Sequence, residues 1–224
     1  MVNDAAGNKS GILIFDVQPL ILAGLTQIIN RESDMICCGE ARSPQCARQL
    51  FLACKPDLVT IELEMPDGDG FKLIKEFKKM EARIPILIIS QYDEMFYAER
   101  ALRAGARGYL MKENAAEDVV FAIRTILKGE MYVSKKVAAL ALHQMAGRRG
   151  GEQSQNVGML TNRELQVFQL FGSGLGIRAV AIRLNLSTRT VEQHWVNIKR
   201  RLGIKDAAKL IQYATTWVNR NGKK

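Results

Sequence analysis

The chain has 224 residues and a formal net charge of +9, a length sufficient for two domains that each bury a core without disulfides. No apolar run reaches the roughly 18 residues that a membrane-spanning helix needs, and the first ten residues lack the hydrophobic region of a signal peptide. We therefore expect a cytoplasmic protein with no membrane partner.

The charge is divided unevenly along the chain. Residues 1–156 hold 20 Lys and Arg against 20 Asp and Glu, whereas residues 157–224 hold 12 against 3. A neutral part followed by a basic part is typical of a sensing or docking unit joined to a unit that binds a polyanion. A basic solvated face with no partner is the alternative, and charge alone does not separate the two.

Strand-like and helix-like segments alternate over the first 128 residues. Five short apolar runs have the length and composition of buried strands: 11–15, 35–39, 57–63, 84–90 and 108–111. The intervening and following stretches predict helices at 20–29, 44–54, 70–80, 94–104 and 117–128. Because parallel strands need helical crossovers that cover both faces of a sheet, this order predicts an α/β domain with a doubly wound, five-stranded parallel sheet.

Four polar residues follow or close the apolar runs at their carboxyl ends: Asp16, Glu62, Ser90 and Lys112. In an open α/β sheet the functional site lies along this edge. Helix caps and solvated loop ends can explain each residue by itself. The joint occurrence of two acids, a hydroxyl and a lysine favours one pocket.

A second, all-α part follows a linker. The predicted helices are 134–145, then 162–171, 177–183, 188–202 and 206–218, and the stretch 147–158 is rich in glycine and polar residues. Thr161 and Glu164 have the spacing of a capping box. Two short helices joined by a tight turn, the second of them polar and basic, predict a helix-turn-helix. The predicted domains are 1–130, a linker helix and flexible linker at 131–157, and 158–224.

Residues of the C-terminal part resemble the LuxR-type helix-turn-helix at specific spacing. They are Leu160, Thr161, Arg163, Glu164, Gly174, Leu175, Ala181, Leu186, Ser187, Thr190, Val191, His194, Asn197, Ile198, Leu202 and Gly203. The N-terminal part is similar to a response-regulator receiver, a flavodoxin-like fold, at Asp16, Pro66, Gly70, Ser90 and Lys112. Together the two parts resemble the NarL/FixJ family of bacterial transcription regulators, which implies a two-component regulator that binds double-stranded DNA.

The resemblance implies how the third helix of the C-terminal domain contacts DNA. Its base-reading face holds Glu192, Gln193 and Val196 here. The family often has lysine at the positions of Glu192 and Val196, so a different operator preference is expected: Glu accepts from cytosine N4 and Gln pairs with adenine. Phosphate contacts, which fix register without reading sequence, are implied for Arg178, Ser187, Thr188, Arg189, Thr190, Lys199 and Arg200.

Neighbouring residues of the same domain have other expected roles. His194 either contacts a phosphate or packs, whereas Trp195 and Ile198 are expected in the core because apolar residues at this spacing usually are. The fourth helix is implied as the dimerisation element, so a homodimer on a two-fold operator is expected.

The acidic pocket departs from the receivers that it resembles. There, an aspartate after the third strand accepts phosphate, and magnesium is bound by that aspartate, two acids after the first strand and a backbone carbonyl. Those positions hold Glu62, Asp16 with Val17, and Glu64. Val17 removes an oxygen ligand from a cation that needs near-octahedral coordination, so we predict no metal and no cofactor. The longer Glu62 also moves the nucleophile, and a shift of about 1 Å can cost about 100-fold in rate.

The extra methylene of Glu62 permits another role. Its carboxylate can reach Ser90 and Lys112 and occupy the place of phosphoryl oxygens. In the family, Ser90 and the aromatic residue at Tyr109 move inward together on phosphorylation. We therefore predict a receiver in an active-like or fixed state without phosphate, which argues against a sensor kinase as partner.

Three alternatives remain open. A conventional phosphorelay through Asp16 or Asp69 lacks a complete metal site. A hydrolase or phosphatase using Asp16, Glu62 and Lys112 lacks a histidine base, since both histidines lie outside this domain. Finally, the receiver can act only in dimerisation, partner docking or ligand sensing at the strand ends.

Two further motifs do not predict metal sites. The four cysteines, Cys37, Cys38, Cys46 and Cys54, have neither zinc spacing nor a disulfide framework, and we expect reduced core residues. The stretch 67–70, Asp-Gly-Asp-Gly, lacks the downstream ligands of a calcium loop. Turn chemistry explains its glycines better.

Overall fold

The computed structural model describes residues 9–65, 68–145 and 157–221. The chain divides into two compact units, Met1–Ala141 and Leu142–Lys224. Residues 147–156 of the predicted linker lie outside the described residues. No helix among the described residues is long and apolar enough to cross a membrane.

The N-terminal unit is built on a parallel sheet. Its strands are β1 Ser10–Phe15, β2 Met35–Ala41, β3 Leu58–Ile61, β4 Glu64–Met65, β5 Gly68–Asp69, β6 Ile86–Ser90 and β7 Gly108–Met111. Its helices are α1 Pro19–Asn30, α2 Pro44–Cys54, α3 Gly70–Met80, α4 Glu94–Ala104 and α5 Ala115–Leu127. The next helix, α6 Lys135–Met145, includes the boundary between the two units. The order β2-β1-β3-β6-β7 forms a five-stranded sheet whose paired strands are all parallel, so the predicted doubly wound α/β fold is confirmed.

The burial of the central strands explains why they could be predicted from continuous apolar runs in the sequence. Every residue of β3 and β6 is buried, because helices cover both faces of the sheet. On one face α1 and α5 pack their apolar stripes on the sheet, with Ile29, Val119 and Ile123 fully buried. Ser43 caps α2 as predicted, since its side chain accepts from the backbone N–H of Cys46 at 3.2 Å.

A short antiparallel pair, β4 with β5, was not predicted. Two residues in each strand are too few to give a periodic pattern. Pro66 and Asp67 of the predicted turn lie outside the described residues, whereas Gly68 and Asp69 form β5 and Gly70 begins α3. A Cβ on Gly70 would lie 2.6 Å from Leu63 Cα and 2.9 Å from the Glu62 carbonyl oxygen, so glycine is needed for this close approach.

The four cysteines are free thiols, but the expectation that they fill the core is wrong. All four are half-buried on β2 and α2, at the margin of the sheet. β2 is an edge strand, and therefore its side chains are covered less completely than those of β3 or β6.

The C-terminal unit is all-α, as predicted. Its helices are α7 Asn162–Gly172, α8 Ile177–Arg183, α9 Thr188–Leu202 and α10 Ala207–Asn221. The capping box is present: the Thr161 side chain accepts from the Glu164 N–H at 3.3 Å, and Glu164 Oε2 accepts from the Thr161 N–H at 2.8 Å. Helix α10 runs to Asn221, three residues beyond the predicted end.

Candidate functional site

The four predicted pocket residues lie at neighbouring strand ends. Asp16 follows β1, Glu62 follows β3, Ser90 closes β6 and Lys112 follows β7, and these four strands are adjacent in the sheet. Asp16, Glu62 and Ser90 are each at most 1 % exposed. Parallel pairing therefore brings the residues into one buried cluster, as the sequence predicted.

Lys112 bridges the two acids. Its Nζ lies 2.6 Å from Asp16 Oδ2 and 2.7 Å from Glu62 Oε2. Both contacts are best described as ion pairs, because neither Lys112 Nζ nor Glu62 Oε2 meets the directional geometry of a hydrogen bond. Two carboxylates beside one ammonium leave the cluster with a formal excess of one negative charge when all three groups are ionised.

The other Glu62 oxygen is also engaged. The Ser90 hydroxyl donates to Oε1 at 2.6 Å, and the backbone N–H of Glu64 donates to the same atom at 2.9 Å. Asp16 is held in a comparable way, since its Oδ1 accepts from the Gln18 N–H at 2.8 Å while Oδ2 meets Lys112. These backbone donors were missed in the sequence, where an N–H group carries no residue-type signal.

Burial and charge act in opposite directions on the pKa values of this cluster. Burial raises the pKa of Glu62, and the Lys112 ammonium and the Ser90 hydroxyl offset only part of that rise. Burial lowers the pKa of Lys112, but Glu62 and Asp16 outweigh it and leave a raised pKa. The ammonium is therefore charged at pH 7, and its charge is what makes a buried carboxylate at Glu62 tolerable.

A second layer connects Ser90 to Tyr109. The Tyr92 N–H donates to Ser90 Oγ at 3.3 Å, and the Tyr109 hydroxyl donates to the Tyr92 carbonyl at 2.7 Å. Tyr109 is 1 % exposed, and burial raises its pKa well above the usual value, so it stays a neutral donor. Its ring is thus in the inward position.

Val17 completes the pocket margin. It follows Asp16 directly and offers no oxygen, and both oxygens of Asp16 already have partners. The Glu64 side chain points elsewhere, because its Oε2 accepts from the Gln91 amide. The arrangement is suited to holding a lysine between two acids, and it offers poor ligation for a magnesium ion.

A second candidate site is the exposed face of α9. The helix buries Val191, Ile198 and Leu202 against its own unit. The opposite face is exposed and carries a stripe at helical spacing: Arg189, Glu192, Gln193, Val196 and Arg200. The three predicted base-reading residues therefore share one solvent-facing surface with two arginines.

The N-terminus of α9 is built by the residues predicted to contact phosphate. The Ser187 side chain accepts from the Thr190 N–H at 3.0 Å and lies 2.8 Å from Thr190 Oγ1. Thr188 and Arg189 are exposed beside them, and so is Arg178 on α8, whereas Lys199 is half-buried near the far end of α9. The residues predicted to contact phosphate thus lie in three places: at the start of α9, on α8, and in the last turn of α9.

Two residues near this surface pack inward. Ile198 is fully buried, so its predicted core role is confirmed. Trp195 is half-buried at the edge of the core, and its ring is tilted against that of Phe171 with centroids 4.2 Å apart. His194 is half-buried. Burial and the nearby Arg163 lower its pKa, so it is a neutral imidazole at pH 7 and attracts a phosphate poorly.

Arg201 is a structural contact that the sequence did not reveal. Its Nε lies 3.0 Å from Glu164 Oε2, and its Nη1 donates to the Met159 carbonyl at 3.2 Å. This pairing fixes the end of α9 against the start of α7. The acidic partner lies 37 positions earlier in the chain, so only the fold shows it.

Comparison with known proteins defines the family. Residues 12–124 match the response regulator receiver domain, and residues 158–214 match the bacterial regulatory proteins of the luxR family. The oxygen regulatory protein NreC of Staphylococcus aureus is 30 % identical over 207 residues, which are 91 % of this chain and 95 % of NreC. This chain belongs to the luxR-family response regulators. The predicted combination of a receiver and a LuxR-type helix-turn-helix is confirmed.

Solved structures of other response regulators share the fold. A LuxR-family two-component response regulator from Aurantimonas is 25 % identical, with a TM-score of 0.58 over 62 % of this chain and 99 % of its own. RcsB from Salmonella enterica, bound to the promoter rprA with phosphomimetic BeF3−, is 22 % identical, with a TM-score of 0.61 over 93 % of this chain and 99 % of its own.

Proposed function

We propose that this luxR-family response regulator binds double-stranded DNA as a homodimer and that its receiver works without phosphorylation. The observation that supports the proposal is the position of the Glu62 carboxylate, which accepts a hydrogen bond from Ser90 and forms an ion pair with Lys112. A hydroxyl and an ammonium are the groups that bind phosphoryl oxygens. In this chain both are satisfied by a side chain that is permanently present.

The metal side of the pocket supports the same proposal. Phosphoryl transfer relies on a cation to neutralise the charge that develops on the transferred group. Val17 supplies no ligand, and both oxygens of Asp16 are engaged by Lys112 and the Gln18 N–H. A divalent cation therefore has to displace Lys112 before it finds a carboxylate, and we expect the receiver to lack both magnesium and a sensor kinase.

The inward Tyr109 supports an active-like state. In this family Ser90 and Tyr109 are expected to move inward together, and here the Ser90 hydroxyl bonds Glu62 while the Tyr109 hydroxyl bonds the Tyr92 carbonyl. Glu62 thus acts in place of a phosphorylated aspartate. The same contacts speak against Asp16 as an alternative phosphate acceptor, because its carboxylate is buried and fully engaged.

The DNA-binding part of the proposal depends on α9. We assign base contacts to Glu192, Gln193 and Val196, which share the exposed face, and phosphate contacts to the arginines on either side. RcsB was solved on promoter DNA, and two RcsB dimers were solved on two parallel DNAs. We place the dimer contact of this chain on α10.

The decisive experiment incubates the full chain with acetyl phosphate and magnesium and measures intact mass and DNA affinity. We expect neither a mass increase nor tighter binding. The matched variant is Val17→Asp with Glu62→Asp, which restores the missing acid and shortens the side chain at position 62. It is expected to gain one phosphoryl group.

Two results contradict the receiver part of the proposal. One is a phosphoryl group on the wild-type chain, in which case peptide mass spectrometry distinguishes Asp16 from Asp69 as its acceptor. The other is a wild-type chain whose DNA affinity rises with acetyl phosphate. A chain that retains no double-stranded DNA under any of these conditions contradicts the DNA-binding part.

A further inference from the structure

The acid on the exposed face of α9 has no structural role that the fold reveals. Residues 157–224 contain three acids: Glu164, Glu192 and Asp206. Glu164 completes a capping box and pairs with Arg201, and Asp206 accepts from the Lys209 N–H at 2.9 Å at the start of α10. Among the described residues, Glu192 makes no hydrogen bond or ion pair that would explain it.

An unpaired carboxylate on this face lowers the attraction for DNA. Every phosphate that α9 approaches repels it, and the flanking Arg189 and Arg200 act in the opposite direction. Such a charge is compensated only where it accepts a hydrogen bond from a base. In the major groove the amino groups of cytosine N4 and adenine N6 are donors, but adenine also presents its N7 acceptor beside N6, which repels a carboxylate, and guanine presents two acceptors.

Val196 is the apolar member of the same stripe. It lies one turn after Glu192 and is 52 % exposed, whereas Val191 and Ile198 of the same helix are fully buried. Val196 is therefore not part of the buried core of the C-terminal unit. The apolar group in the major groove that such a side chain can cover is the C5 methyl of thymine.

We propose that Glu192 and Val196 select the operator by reading a cytosine and a thymine methyl at neighbouring base pairs. The four residues from Glu192 to Val196 advance about 6 Å along the helix, and base pairs are spaced by about 3.4 Å, so the two contacts fall one or two base pairs apart. The inference rests on the proposed function, because it requires α9 to be the helix that enters the groove.

The test is a selection from a randomised double-stranded DNA library at one fixed salt concentration, with the wild-type full chain, Glu192→Gln and Val196→Ala. The wild type is expected to enrich sites with a fixed cytosine, and replacing it should weaken binding about tenfold. Glu192→Gln should change that preference to adenine, which glutamine pairs through N6 and N7.

The thymine contact is tested by removing the C5 methyl group from the DNA. Replacing thymine by deoxyuridine at the selected position removes only the C5 methyl and should weaken wild-type binding about fourfold, the value of one buried methylene-sized group. The Val196→Ala variant should bind the thymine site and the deoxyuridine site with the same affinity. The control is Glu117→Gln, which makes the same charge change on exposed α5 of the receiver and should leave every base preference unchanged.

The outcomes separate the two proposals. A wild-type chain that enriches no sequence and retains no DNA overturns the proposed function and this inference with it. A wild-type chain that enriches a site, with the same base preference in Glu192→Gln and the same uracil sensitivity in Val196→Ala, overturns the inference alone. All variants lie at exposed positions, and circular dichroism verifies that they are folded.

Discussion

At the scale of single residues, Lys112 determines whether the receiver pocket is stable. Its ammonium lies within 2.7 Å of the carboxylates of two residues that are each only 1 % exposed. A buried ion pair adds little net stability when complete, because desolvation offsets the attraction. Removing its cation is costly, because two like charges then remain in a medium of low dielectric constant.

Lys112→Met is therefore expected to lower the free energy of unfolding of the receiver by about 3 kcal/mol at neutral pH. The loss should depend on pH. The pKa of Glu62 is already raised above 4.5, so the stability linked to its protonation is present below pH 4.5 and is lost as pH rises through the folded-state pKa. Without the cation this pKa rises further, and the deficit should grow from acidic to neutral pH. Urea unfolding at several pH values measures it.

Lys79→Met is the control for this variant. Lys79 is an exposed lysine on α3, and its replacement should change the free energy of unfolding by no more than about 0.5 kcal/mol. A deficit in Lys112→Met that is equally large at acidic and neutral pH would show that lost packing, not unpaired charge, causes it.

At the scale of elements, two glycines in helices are expected to respond oppositely to alanine. Alanine stabilises a helix interior by up to about 1 kcal/mol relative to glycine. At Gly172 on α7, however, a Cβ would lie 2.6 Å from the Ala214 carbonyl oxygen and 2.7 Å from Val218 Cγ2 on α10. The Ala214 backbone cannot move aside as a flexible side chain can. The steric clash at Gly172 is therefore expected to outweigh the higher helix propensity of alanine.

Gly172→Ala should destabilise the C-terminal unit by about 1–3 kcal/mol, and thermal unfolding measures it. Gly24→Ala on α1 is the matched control, because nothing lies within 4 Å of its Cβ, and it should stabilise the receiver. Two variants that shift the unfolding temperature in the same direction would contradict the close approach of α7 and α10.

The start of α6 is held by one serine. The Ser134 hydroxyl donates to Glu94 Oε1 on α4 at 2.6 Å and accepts from the Val137 N–H at 3.2 Å. It is thus both a helix cap and a tie to the receiver. Loss of a serine cap costs about 1 kcal/mol, which corresponds to roughly fivefold faster opening.

Ser134→Ala is expected to increase amide hydrogen exchange in α6 about fivefold. Glu94→Ala removes the tie and leaves the cap, so it should have a smaller effect. Mass spectrometry of peptides from α6 provides the measurement. Exchange that is unchanged in both variants would show that neither contact limits the opening of this helix.

At the scale of the whole molecule, the charge is divided between a neutral receiver and a basic C-terminal unit. Residues 157–224 carry 12 Lys and Arg against 3 acids. Binding to DNA releases counterions, so affinity falls with salt in proportion to the number of phosphates neutralised. The C-terminal unit should therefore supply the whole salt dependence of DNA binding.

Arg189→Ala is expected to weaken binding to all DNA sequences alike and to reduce the slope of log affinity against log salt by about 0.9. Lys72→Ala makes the same charge change on exposed α3 of the receiver and should leave the slope unchanged. Titrations at four salt concentrations distinguish them. Equal slopes for Arg189→Ala and the wild type would remove Arg189 from the phosphate contacts.

The elements of this protein were largely predictable from its sequence. Helices α8 and α9 begin and end at the predicted residues, because serine and glycine signals mark their ends and their apolar spacing is regular. The pair β4 and β5 was missed, because two residues in each strand carry no periodicity. The prediction that the cysteines lie in the core was wrong, because apolar composition does not show that β2 lies at the sheet edge.

Local patterns in the sequence were sufficient to predict the two-domain order, the parallel sheet and the set of residues at its carboxyl edge, because periodicity and strand ends are local properties. Three contacts are visible only in the folded chain: Lys112 lies between Asp16 and Glu62, Ser90 donates to Glu62, and Arg201 pairs with Glu164. Each of these contacts joins residues at least 28 positions apart. Such distances depend on strand order and side-chain packing, which no local pattern encodes.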